Sequence, residues 1–206
     1  MSIPAAVLPL PGDHPLVDAP QGRWTYANWE HLPDDGNRYE IIDGVLSMTT
    51  APSFFHQWVV SRLIRYIGIP AEEQGLAVWT TAPIGVILAP ADAVQPDFVV
   101  LRTEHADLVH HRRIWGAPDL VAEVLSPGNS AEEMREKHAA YARAGVPEYI
   151  IVHPATRTVE YYRLEAPGMY AAALHLGGDD VLTLECLPGI TVTIAALFAG
   201  ALDTEL

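Results

Sequence analysis

Residues 117–151 read APDLVAEVLSPGNSAEEMREKHAAYARAGVPEYII, and their pattern decides the fold. Residues 119–125 are an apolar run that holds two carboxylates, Asp119 and Glu123. On a strand, Asp119, Val121, Glu123 and Leu125 point to one face and Leu120, Ala122 and Val124 to the other. Apolar side chains on both faces predict a buried strand. A carboxylate inside it must be paired, hydrogen-bonded or metal-bound, because an isolated buried charge is too costly. Glu123 is therefore a candidate functional residue.

The helix that follows is bounded by its own chemistry. Ser130 with Glu133 three residues on is a capping-box start, and Gly145 ahead of Pro147 is a C-terminal stop, so the spacing predicts a helix over 131–144. Its inner stripe is Met134, Tyr141 and Ala144, and Lys137 falls inside that stripe. Lys137 is the only lysine in the chain; the other eleven basic residues are arginine. Arginine cannot replace a compact amine whose pKa can shift. An inward cation beside an inward carboxylate is the second feature that asks for a function.

Working outward, 38–48 (RYEIIDGVLSM) are two short apolar runs joined by Asp43-Gly44, a two-residue hairpin signal. Glu40 shares a face there with Arg38 and Ile42, and a surface pair of Glu40 with Arg38 is the structural alternative to a functional role. Residues 94–101 (VQPDFVVL) repeat the central oddity, since Asp97 follows a proline at the head of a β-branched run and so starts a strand. Residues 53–69 predict an amphipathic helix, with Phe55, Val59, Leu63 and Ile67 near four-residue spacing and His56 as a partly exposed residue of its first turn. A short helix is expected over 24–32, and strands over 76–81 and 84–88. A hairpin across Gly168 joins 158–164 to 169–175. Strands at 181–184 and 190–193 are expected to finish the sheet, before a helix at 194–198. His105, His110 and His111 have no second cluster of cysteine or histidine at ligand spacing and are expected in a solvated loop.

The totals bound the function. The 206 residues suit one domain, expected over 23–206 after an extended, proline-rich lead over 1–22. A net charge of −14 excludes nucleic-acid binding through a general basic surface and leaves local contacts, for which Arg62, Arg65, Arg102, Arg112, Arg113, Arg135 and Arg143 are candidates. One cysteine, Cys186, excludes an internal disulfide and fits a reducing compartment. No apolar segment reaches the roughly 18 residues of a membrane helix, so a cytoplasmic protein without membrane contact is expected. Carboxylates on separate strands with an adjoining lysine suit Mg2+ or Mn2+, which bind hard oxygens and leave room for water and phosphate. That is apparatus for phosphodiester hydrolysis.

RYEIIDGVL, VQPDFVVLR, GAPDLVAEVLSP with Glu136-Lys137, YARAGVPEYIIV and RTVEYYRL together resemble the Uma2 family, whose members are described as endonucleases with a restriction-endonuclease-like fold and the PD-(D/E)xK signature. The resemblance runs from about residue 24 to the end. It implies a mixed α/β fold, a central sheet flanked by helices with an extra C-terminal β-hairpin. It also implies a Mg2+-dependent DNA endonuclease in which Asp97 is the signature aspartate, Glu123 the second acid and Glu40 an accessory acid, all three serving the metal. The strict signature would place lysine at Leu125; the family pattern moves it to the helix, as Lys137. DNA is the implied partner, and a homodimer is left open. The alternative reading is a non-catalytic interaction module that keeps the nuclease-like fold.

Overall fold

The structure, a computed structural model, describes residues 19–49 and 51–201. At its centre β9 (Leu120–Val124), α4 (Ala131–Ala144) and β10 (Glu148–His153) form a strand-helix-strand unit with parallel strands. The helix starts where its cap chemistry dictates, with Ser130 Oγ accepting the Glu133 N–H at 3.0 Å, and ends at Gly145 with φ +89°. All five β9 residues are buried. Leu120, Ala122 and Val124 enter one core cluster and Val121 another, as the alternation of faces requires.

β9 sits inside the larger of the two main sheets. β6 (Phe98–Arg102) pairs antiparallel with it and β3 (Ala77–Thr81) lies at the edge, while β11 (Thr158–Ala166) follows β10. Beyond β11 lie β12 (Met169–Tyr170) and β13 (Leu174–Gly177). The second sheet has the order β2-β1-β5-β4-β8-β7, built from β1 (Arg38–Ile42), β2 (Val45–Thr49), β4 (Val86–Ala89), β5 (Asp92–Val94), β7 (Val109–His110) and β8 (Arg113–Trp115). The turn between β1 and β2 uses Asp43 and Gly44 at φ +49° and +72°, the two left-handed residues of a tight hairpin.

Several expectations shift here. The strands expected over 76–81 and 84–88 form but separate into different sheets, because β3 pairs with β6 whereas β4 pairs with β5. β14 (Val181–Thr183) and β15 (Thr191–Thr193) form their own ribbon instead of finishing a sheet. They carry α5 (Ile194–Phe198) onto the core, where Leu182, Val192, Ile194 and Leu197 are buried. The helix expected over 24–32 is the single turn α1 (Tyr26–Trp29). Most of the lead expected over 1–22 lies outside the described residues; at its end Gly22 donates its N–H to Gly44 O at 2.8 Å.

The helix expected over 53–69 is longer than its pattern suggests and is not uniform. It runs as α2 (Phe54–Leu63), a π-helical turn (Ile64–Gly68) and α3 (Ile69–Glu73). Phe55, Val59, Leu63, Ile67 and Ala71 are all buried against the larger sheet. Each large aliphatic residue among them contributes about 1.5–3 kcal/mol by leaving water. Gly68 lies flat on Trp79, where a Cβ would come within 2.9 Å of the ring. This helix, α5 and the ribbon cover one face of the larger sheet, and α4 with the smaller sheet covers the other.

Candidate active site

Glu123 lies on the face of β9 that meets α4. Lys137 sits two turns into that helix and points back over the strand, its Nζ 3.1 Å from Glu123 Oε1. Tyr141, one turn further on the same side, donates its hydroxyl to the same oxygen at 2.7 Å. Glu40 reaches in from β1 and places Oε2 2.9 Å from Lys137 Nζ, while its Oε1 accepts the Gln95 N–H at 2.6 Å. Glu40 is 1% exposed, so the surface pair with Arg38 is not formed. The reason is packing: the face shared with Ile42 is turned into the core beneath α4.

Arg38 instead spans to Asp97, with NH1 2.9 Å from Oδ1, and donates through NH2 to Gln95 O. Asp97 Oδ2 accepts the Val124 N–H at 2.9 Å and meets His56 Nε2 at 3.0 Å. The N–H next to Glu123 thus holds Asp97, so the head of β6 and the end of β9 meet in one cluster. All four residues predicted from sequence, Glu40, Asp97, Glu123 and Lys137, come together.

His56 was not expected among them. It is 4% exposed rather than a partly exposed cap residue, because its ring turns inward from the first turn of α2. The signal was present: His56, Val60 and Leu63 follow one another at four- and three-residue spacing, and both apolar partners are buried. Arg38, Gln95 and Tyr141 are the other members the sequence reading left out. Asp119, by contrast, stays outside. It sits four residues before Glu123, roughly 13 Å along an extended chain, and accepts the Arg102 N–H at 2.7 Å and faces His105 Nδ1 at 2.9 Å. His105, His110 and His111 are exposed, as expected.

The electrostatics follow from three buried carboxylates sharing few cations. Burial raises the Asp97 carboxyl, but the His56 hydrogen bond and charge, Arg38 and the Val124 N–H outweigh it and hold the group at about 2. Burial also raises Glu123, and the charges of Asp97 and Glu40 add to it; Lys137 and Tyr141 only partly compensate, leaving Glu123 at about 7. Burial alone would lower Lys137, yet Glu123 and Glu40 hold its ammonium charged well above the ordinary range.

This gives a stability signature with a definite sign. Folded Glu123 keeps its proton to about pH 7, against an ordinary value of 4.5, so the stability that proton lends is complete below pH 4.5 and lost as pH rises through 7. Asp97 acts oppositely, its contribution being present above 3.8 and lost as pH falls through about 2. Urea unfolding of the metal-free protein should therefore show stability declining between pH 4.5 and 7.5 by an amount on the order of 1–3 kcal/mol from Glu123. Glu123→Gln should flatten that slope. An equally steep decline in the variant would assign the proton elsewhere.

Two mixed sheets with a carboxylate and lysine cluster between them define an α/β fold of nuclease-like type. A crystal structure described as a "putative nuclease belonging to DUF820" from Anabaena variabilis ATCC 29413 superposes with a TM-score of 0.73. The two sequences are 19% identical, and the match covers 84% of this chain and 97% of that one. The profile of the Uma2 family, described as "Putative restriction endonuclease", matches residues 25–195. The chain belongs to the Uma2 family. No curated protein matches it.

Proposed function

We propose that this protein is a Mg2+- or Mn2+-dependent DNA endonuclease that hydrolyses phosphodiester bonds, with Asp97 and Glu123 as metal ligands, Glu40 as a further ligand and Lys137 positioning the nucleophile. Family membership supports a nuclease in general terms. The observation that carries the finer reading is Lys137 Nζ held between Glu123 and Glu40 in the same buried cluster as Asp97. Carboxylates from β1, from the residue before β6 and from β9 are hard oxygen donors of the kind these cations take. The donor chemistry therefore fits, although among the described residues no three acidic, histidine or cysteine side chains already gather as a cation cage. Each carboxylate is instead held by protein cations and N–H groups. Arg38, whose side chain is 19% exposed against 4% for Lys137, is the partner that can release a carboxylate at least cost.

A bound divalent cation would supply charge at the scissile phosphate and acidify its water. The chain's own residues do the positioning. Lys137 stays protonated and so acts as a hydrogen-bond donor and fixed charge, not as a base. Glu40 fixes its ammonium from one side, while Tyr141 orients the Glu123 oxygen from the other. A homodimer would supply two such sites, one for each strand of a duplex. Among the described residues no helix is long and apolar enough to cross a membrane.

The test is plasmid cleavage with and without Mg2+, joined to thermal melts. Metal at a hundred times its Kd should stabilise the wild type by about 2.7 kcal/mol, and Asp97→Ala should lose that increment whatever its own starting Tm. A shift that persists in Asp97→Ala would place the cation elsewhere. The second reading, a non-catalytic interaction module, is favoured by a cluster whose acids and lysine are at most 4% exposed and by the net charge of −14. Moreover, among the described residues Arg38 is the one arginine that contacts Asp97; Arg62 stacks on Trp58 and Arg143 pairs with Asp43 and Asp92. Absence of both cleavage and metal stabilisation would decide for the module.

A further inference from the structure

Resting on the nuclease reading, we propose that the tip of the β7–β8 hairpin, His111 and Arg112, is a second grip on the DNA, contacting its phosphate backbone beside the Asp97 cluster.

The sequence His110-His111-Arg112-Arg113 is a run of protonatable residues in a chain of net charge −14, where any hold on nucleic acid has to be local. Arg113 is engaged in the fold, its guanidinium 4.7 Å from the centre of the Trp29 ring. His111 and Arg112 are exposed.

The turn itself is unusual. β7 and β8 pair antiparallel with His110 opposite Arg113, leaving a two-residue loop in which His111 and Arg112 take φ values of +46° and +73°. Such loops favour Asn-Gly, because residues with larger side chains are strained in the left-handed region. Keeping a histidine and an arginine there opposes the local preference, and strain of this kind concentrates at functional positions.

Register then places the tip. Ile41 of β1 lies opposite Ala93, Ala93 opposite Ile87, and Ile87 opposite Trp115, so these four residues form one row across the smaller sheet. β1 and β4 both run antiparallel to β5, and β8 runs parallel to β4, so β1 and β8 point the same way. Three residues back from Ile41 is Arg38, and three back from Trp115 is Arg112. The hairpin tip and the arginine that holds Asp97 therefore stand at the same end of the sheet. Three strand spacings separate them, about 14 Å. That span is close to the roughly 12 Å width of the major groove, so one duplex laid across this end can touch both. Beside the tip, Trp115 is 38% exposed with Tyr26 edge-on at 4.9 Å, and the two line an open cavity with Glu30, His111 and Arg112. Glu30 accepts the Tyr26 hydroxyl there.

The test separates binding from folding. The double variant His111→Asn, Arg112→Gly installs the turn pair that the backbone favours, so Tm should stay level or rise. Anisotropy of a labelled duplex without metal, between 50 and 200 mM salt, should show affinity weakened by about threefold to tenfold and a log–log salt slope smaller by about 1. Arg112→Lys should keep the slope. A double variant that binds with wild-type affinity and slope overturns the proposal, and does so without touching the nuclease reading if the wild type still cleaves plasmid with Mg2+. A wild type that binds no duplex even at the lowest salt overturns this grip, and the nuclease reading falls with it only if Mg2+-dependent plasmid cleavage is absent as well.

Discussion

Lys137→Met should destabilise the fold by about 3–5 kcal/mol, the usual result of stranding buried charge by removing one partner. In the wild type a single ammonium bridges Glu40 and Glu123 at 2.9 and 3.1 Å, and all three groups are at most 4% exposed. Without it two carboxylates face each other in the interior, and the cheapest relief is to protonate one of them or to open the cluster. Adding Glu123→Gln should recover much of the loss, because it removes one of the stranded charges. Urea unfolding measures both, and a Lys137→Met protein as stable as wild type would contradict the buried bridge. Lys137→Arg is the companion for function. It keeps the charge but forces a planar fork into a closed slot, an overpacking worth about 1–3 kcal/mol. Cleavage should fall by roughly 10²-fold or more while duplex binding persists. Equal cleavage by the two proteins would remove the lysine from the mechanism.

Asp97→Asn should reduce Mg2+-dependent cleavage by about 10²–10³-fold, the scale of a lost electrostatic group in an active site. The amide keeps the shape of the side chain and one carbonyl oxygen for the Val124 N–H, which the carboxylate accepts at 2.9 Å. It gives up the charge that answers Arg38 and His56. The stability cost should stay near 1–3 kcal/mol, well short of what Lys137→Met incurs. Single-turnover cleavage against a thermal melt reads the two effects separately. An Asp97→Asn protein that cleaves at wild-type rate would show that Asp97 serves the fold and not the chemistry.

What the sequence could disclose was set by distance along the chain. The limits of α4 follow from Ser130 and Gly145, and the β1–β2 turn follows from Asp43-Gly44, because each depends on atoms a few residues apart. The faces of β9 were readable because both were apolar apart from the carboxylates, and Lys137 was placed inward by its phase against Tyr141. The pairing of strands was less readable. Nothing near Pro83 announces that the chain changes sheets there, and β5, β7 and β8, at two or three residues each, are too short to carry a periodic signal. The partners in the cluster are the extreme case. Arg38 and Asp97 are 59 residues apart and His56 and Asp97 are 41 apart, so only the folded chain selects Asp97 over Glu40 for Arg38.

The π turn within the long helix sets the phase at which His56 is delivered. One row of its buried residues falls at 55, 59, 63, 67 and 71, an unbroken step of four. In a regular α-helix each such step drifts by about 40°, so four of them would carry Ala71 roughly 160° around from Phe55. The wider turn at 64–68 takes up much of that drift and lets one stripe stay buried throughout. The helix is thereby two parts on one axis. The second is fixed by Gly68 under Trp79, and the first carries His56 to Asp97. Deleting one residue from the π turn would restore uniform helix and rotate the first part by about 100° against the second. The imidazole would then swing away from the aspartate with every cluster residue still present in the chain, so the length of this segment belongs to the site as much as any side chain does.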